Sequence, residues 1–240
     1  MAFTDKVTAK DFPKMDKEYQ DLLVRVLTIQ ADCEIGGPNI YVPEGWTGTK
    51  APSREDLWKM GKTATEEVDH FRKFNRLLND LGYDASWVIW RPRTERYVEA
   101  FRASMPTWAD VAVFGFLMDR VGRYQLEEFI DCSYLPVTEI LPDILKEEEG
   151  HVNYGTMKLI ELCRTPEGRE EAQAALNRWY PLALDSFGKS ESRRSERYIY
   201  WGLKRRTNAQ QRQEFMAEVE PLIRKLGLQV PDPLVGRKYL

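Results

Sequence analysis

Histidine is nearly missing from this chain, with two in 240 residues. Cysteine is scarce too: Cys33, Cys132 and Cys163 are odd in number and form no C-x-x-C pair. A disulfide framework, a zinc ribbon and a rubredoxin-type iron site are thereby excluded. No apolar run approaches the roughly 18 residues of a membrane span, and Met1-Ala2-Phe3-Thr4-Asp5 opens no signal-peptide core, so a cytoplasmic protein without membrane contact is expected. An excess of one charge is also lacking. Charged residues make up 30% and leave a formal net charge of -3, which argues against nucleic acid as a partner. Strand-like alternation appears nowhere, so the expected class is all-α.

The two histidines that are present are the most informative residues. Glu67-Val68-Asp69-His70 and Glu148-Glu149-Gly150-His151 each place a glutamate three residues before a histidine. Positions i and i+3 share a helix face, close enough for both side chains to hold one ion. With glutamate at about a tenth of residues, chance would pair both histidines this way in about one chain in a hundred. Two Glu-x-x-His helices, joined by one acid from each of two further helices, form the ligand set of a carboxylate-bridged two-metal site in a four-helix bundle.

The remaining acids are sought on the other helices. A helical pattern over 14–35 carries the stripe Tyr19, Leu23, Leu27, Gln30 and Glu34, and Gly36-Gly37-Pro38 reads as its stop. Glu34 continues the stripe, whereas Asp32 points about 200° away. Residues 38–52 read as a crossing loop. A second helix, capped at Ser53, runs to Leu81 and ends at Gly82. One short helix is expected near 94–103, in an aromatic and arginine-rich stretch. A third helix, capped by Thr107 with Asp110, runs to Asp131, and a fourth spans 137–163. Their connecting turn centres near 133–136, so Asp119 lies level with Glu148 and His151. Glu127 and Glu128 sit about 12–14 Å nearer that turn, with Glu127 the fallback. The predicted ligands are therefore Glu34, Glu67, His70, Asp119, Glu148 and His151. Oxygen and imidazole donors without a thiolate suit iron or manganese.

Gly115, Gly122 and Gly155 fall beside these ligands and mark either room for a substrate or close helix approach. Asp69 is a residue that could orient a liganding imidazole from outside. Tyr124 is assigned to core packing. The runs Arg91/Arg93/Arg96 and Arg193/Arg194/Arg197/Lys204/Arg205/Arg206 are read as solvated faces, the alternative being a site for a phosphorylated substrate or an acidic partner. Residues 1–13 read as a loose arm. Further helices near 165, 190–204 and 207–226 and a Pro-rich tail complete one expected domain over 1–240, with its core bundle at 14–163 and C-terminal helices and tail at 165–240.

These segments together resemble a known family. Gln30-Ala31-Asp32-Cys33-Glu34, Glu66-Glu67-Val68-Asp69-His70-Phe71, Met118-Asp119-Arg120-Val121-Gly122 and Lys146-Glu147-Glu148-Glu149-Gly150-His151 are similar to the metal motifs of ferritin-like di-iron carboxylate proteins. Trp201-Gly202-Leu203-Lys204 and Leu226-Gly227-Leu228, leading into Pro231-Asp232-Pro233, narrow the resemblance to the catalytic chains of bacterial phenylacetyl-CoA epoxidases. The resemblance implies a ferritin-like four-helix bundle with additional C-terminal helices. It also implies two iron ions and O2 as co-substrate, and insertion of one oxygen atom into the ring of an aromatic acyl-CoA. The implied partners are a flavin and iron–sulfur reductase and a paralogous structural subunit, in an oligomeric complex. Alternatives from other classes are a ferritin-type ferroxidase and a non-catalytic scaffold subunit.

Overall fold

Polar caps define where the helices begin. The computed structural model describes residues 3–41 and 50–239, and among them seven α-helices and no β-strand occur. They are α1 (Lys17–Tyr41), α2 (Arg54–Asp80), α3 (Trp108–Glu127), α4 (Leu135–Leu162), α5 (Pro166–Asp185), α6 (Arg193–Tyr200) and α7 (Asn208–Lys225). At the start of α2 the Ser53 hydroxyl accepts from the Asp56 N–H at 3.1 Å. Thr107 and Asp110 cap α3 reciprocally, Asp110 N donating to Thr107 Oγ1 and Thr107 N to Asp110 Oδ2. Thr165 and Thr207 do the same work for α5 and α7, the latter in a full capping box with Gln210. Gly82, at φ 83°, supplies the left-handed turn that follows α2.

The described residues gather into two compact units, each assembled from separated stretches. The first comprises Met1–Ser104, Glu128–Ile144 and Glu196–Arg205. Its centre is the pair α1 and α2, which pack along their length. The inward stripe of α1 is buried throughout: Tyr19, Leu23, Leu27, Gln30 and Glu34. On α2 the matching face is Met60, His70, Phe71, Phe74 and Leu78. Burying such apolar side chains contributes roughly 1.5–3 kcal/mol each.

Three expectations change in this unit. Gly36-Gly37-Pro38 does not stop α1, which continues to Tyr41. The glycines serve close approach instead: a Cβ on Gly36 would lie 2.9 Å from the Phe101 ring, and one on Gly37 3.7 Å from the Glu67 carboxyl carbon. The stretch expected as one helix at 94–103 is three short 3-10 turns, at Ser86–Trp90, Arg93–Glu95 and Glu99–Arg102. Pro92 breaks the first from the second, and Arg96 is tied inward to α1 rather than following a helical path. The N-terminal arm is not loose. Val7 N donates to Ser133 O and Leu135 N to Val7 O, and both Val7 and Phe12 are buried. Of the expected loop at 38–52, residues 42–49 lie outside the described residues.

The second unit comprises Met105–Glu127, Leu145–Ser195 and Arg206–Leu240. Here α3 is flanked by α5 and α7. Asp110 fastens α3 to α5, accepting from Arg178 Nη2 at 2.6 Å and Trp179 Nε1 at 3.0 Å. Glu218 fastens α7 to α3, accepting from Arg120, Arg123 and Tyr124. The last residues are held as well, because Asp185 accepts from Lys238 N at 2.6 Å and Arg237 Nε at 3.1 Å.

Candidate metal centre

In the first unit, α1 and α2 run antiparallel. Gly37 lies beside Glu67, and Glu34 lies beside His70 three residues further along each helix. That register assembles Glu34, Glu67 and His70, whose nearest donor atoms lie within 4.8 Å of one another. Glu34 Oε2 is 3.3 Å from His70 Nδ1, and both side chains are buried. Glu34 Oε1 accepts from Gln30 Nε2 at 2.5 Å. Asp32 is buried too, yet it faces elsewhere. Its carboxylate accepts from Arg96 Nη1 and from the Tyr97 N–H, each at 2.9 Å, with Arg91 Nη1 3.8 Å away.

In the second unit, α3 meets α4. A Cβ on Gly155 would lie 2.3 Å from the Gly115 carbonyl carbon, so the two backbones touch there. A Cβ on Gly122 would lie 3.6 Å from Glu148 Oε2. Both pairs sum to the same register, which puts Asp119 level with His151. Asp119 Oδ2 is 3.4 Å from where a Gly115 Cβ would stand, on the same side of α3. His151 Nδ1 is 3.8 Å from Glu148 Oε2, and both side chains are buried. At Gly115 and Gly155 the geometry is that of close helix approach, because the space a side chain would need is filled by backbone. Beside Gly122 only the Glu148 carboxylate is near.

The neighbouring acids are engaged differently. Glu127 Oε2 lies 3.4 Å from Arg206 Nη2 and its Oε1 3.6 Å from Arg123 Nε. Glu128, in the first unit, is buried and accepts from the Arg205 N–H at 2.8 Å. Asp69 pairs with Arg72 at 2.7 Å and Lys73 at 3.1 Å, and Glu66 with Lys62. Tyr124 packs edge-on against Phe187 and Phe215 while its hydroxyl donates to Glu218.

The arginine runs are only partly a solvated face. Arg96 is fully buried, Arg91 stacks 4.1 Å from the centre of the Tyr97 ring, and Arg197 donates to Glu18. Arg193, Arg194 and Arg205 are exposed. The partners of Arg96 and Arg197 are 64 and 179 residues distant in sequence, so no local pattern announces them.

Buried carboxylates beside buried imidazoles, with no thiolate among them, fit a hard or borderline cation such as iron or manganese. Carboxylates are seldom buried unless paired or coordinating.

Residues 5–238 match the phenylacetic acid catabolic protein family. The chain belongs to that family. It is similar to the first of the lettered chains, A, of the 1,2-phenylacetyl-CoA epoxidase of Escherichia coli (strain K12), with 30% identity over 224 residues, covering 91% of this chain and 72% of that protein. It is also similar to the benzoyl-CoA oxygenase component B of Aromatoleum evansii, 25% identical over 218 residues, 79% of this chain and 46% of that protein. Among solved structures, an R2-like ligand-binding oxidase with a reconstituted Mn/Fe cofactor aligns with a TM-score of 0.63 at 13% identity, covering 95% of this chain and 86% of that one. A variant of that oxidase aligns with a TM-score of 0.65 at 12% identity. The fold of this chain is accordingly all-α and ferritin-like. No helix among the described residues is long and apolar enough to cross a membrane.

Proposed function

We propose that Glu34, Glu67, His70, Asp119, Glu148 and His151 together hold two iron ions, with manganese the alternative. In this reading the chain is the oxygen-activating component of an aromatic acyl-CoA oxygenase. One observation carries it: each unit sets a carboxylate on one helix beside a Glu-x-x-His pair on another, Glu34 with Glu67 and His70, and Asp119 with Glu148 and His151. That duplication matches the ligand set of carboxylate-bridged two-metal bundles. Family membership and the two named relatives, one from a phenylacetyl-CoA epoxidase and one from a benzoyl-CoA oxygenase, support the reaction class.

When bound, the paired metals supply the electrons that activate O2. The chain's own side chains bind, orient and exclude water. Burial of Glu34, His70, Glu148 and His151 keeps bulk solvent from the donors. Close contact of Gly115 with Gly155 holds Asp119 level with His151. Gly122 leaves space on the same side, which we assign to the aromatic ring of a thioester such as phenylacetyl-CoA.

Placing one oxygen atom on the ring and releasing the other as water consumes two electrons and two protons. The sequence contains no flavin or iron–sulfur motif. A separate flavin and iron–sulfur reductase supplies those electrons in this reading, and a paralogous structural subunit completes a cytoplasmic complex. Both relatives carry lettered names that mark them as parts of multicomponent enzymes, which supports such an assembly.

Iron-loaded protein given a chemical reductant, 18O2 and a panel of acyl-CoA thioesters tests the reading. The expected product is an aromatic thioester carrying one 18O atom. Oxygen consumption that yields only ferric mineral, with every thioester unchanged, would replace this reading by ferroxidase activity.

A further inference from the structure

Gln30 stands one turn before Glu34 on α1, is 7% exposed, and donates through Nε2 to Glu34 Oε1 at 2.5 Å. An ionised carboxylate can only accept, so the amide must turn its NH2 toward it. The other oxygen, Oε2, lies 3.3 Å from His70 Nδ1. The two oxygens of Glu34 are thus made unequal by the protein: one is held by an amide, the other is left on the imidazole side.

The neighbouring acid shows what a different partner does. Asp32, two residues away, is held by the Arg96 guanidinium and a backbone N–H. A charged donor neutralises its carboxylate and removes its attraction for a cation. Gln30 carries no charge. It fixes the direction of the Glu34 carboxylate and leaves its negative charge intact for a metal.

We propose that Gln30 is a positioning residue that confines Glu34 to binding metal through Oε2 alone, on the His70 side. The inference rests on Glu34 being a metal ligand, as proposed above. Without the amide, Oε1 is released and the carboxylate can rotate or bind through both oxygens. Groups that orient metal ligands commonly change metal affinity by about 10–100-fold when removed.

The test compares parent with Gln30→Met, which keeps length and burial but has no N–H. Both proteins are loaded anaerobically with 57Fe, counted, titrated for affinity and examined by Mössbauer spectroscopy. Circular dichroism and thermal unfolding of the metal-free forms separate a folding defect from a ligand effect. The expected result is unchanged metal-free helicity, iron affinity weakened by about tenfold or more, and an altered quadrupole doublet for one iron of the pair. Should Gln30→Met fold poorly, Gln30→Leu reads the same two quantities. A folded variant with parental affinity and an unaltered spectrum overturns the role of Gln30 while leaving the two-metal reading standing. A parent that holds no paired iron overturns that reading, and this inference with it.

Discussion

Asp32 and Glu34 sit two residues apart on α1 and are both buried, yet their neighbours give them different work. The 3.6-residue period separates them in the sequence, because Glu34 continues the Leu23-Leu27-Gln30 stripe and Asp32 leaves it. What the period cannot reveal is that Arg96 comes across from another segment to compensate Asp32. The same holds on α3. Counting residues from the turn separates Asp119 from Glu127, while the bonds that occupy Glu127, to Arg123 and Arg206, depend on tertiary structure. Asp119→Ala is expected to lose at least one iron per chain, and Glu127→Ala to keep the parental iron content. Metal analysis of the two variants checks this, and the reverse pattern would transfer the ligand role to Glu127.

Elements were legible where caps and apolar periodicity agree, as for α2, α3, α5 and α7. They were misjudged where tertiary contact overrides a local signal. A Gly-Gly-Pro sequence ordinarily ends a helix, but α1 runs through it because Phe101 and Glu67 pack against those glycines. Glu218 gives the joint between α7 and α3 a pH dependence. Burial pushes its carboxyl up, but the Tyr124 hydroxyl and the Arg120 and Arg123 guanidiniums outweigh this and hold it below its usual range. A carboxyl depressed on folding contributes stability above its unfolded pKa and loses it as the pH falls through the folded value. Glu218→Gln should cost about 2 kcal/mol near neutrality, the scale of hydrogen bonds to charged groups. The gap from parent should narrow as the pH falls below about 4, where an unfolded glutamate protonates. Urea unfolding of both proteins across that range measures it, and a gap independent of pH would deny the carboxylate this part.

At the scale of the whole molecule, fold class, the two Glu-x-x-His helices and family were all within reach of the sequence, since each depends on spacing along one chain. Gln30, Arg96, Asp110 and Glu218 acquire their roles only from residues brought together by folding. The central claim is a paired metal site shared by six residues on four helices. Its most direct measurement is the metal content of protein loaded anaerobically with 57Fe, read together with its Mössbauer spectrum. The account predicts about two iron ions per chain in a coupled pair. It also predicts that His70→Ala and His151→Ala, each removing one nitrogen from one ion, lose the paired signal as a whole. A single tightly bound zinc, or a parent protein that takes up no iron, would contradict it.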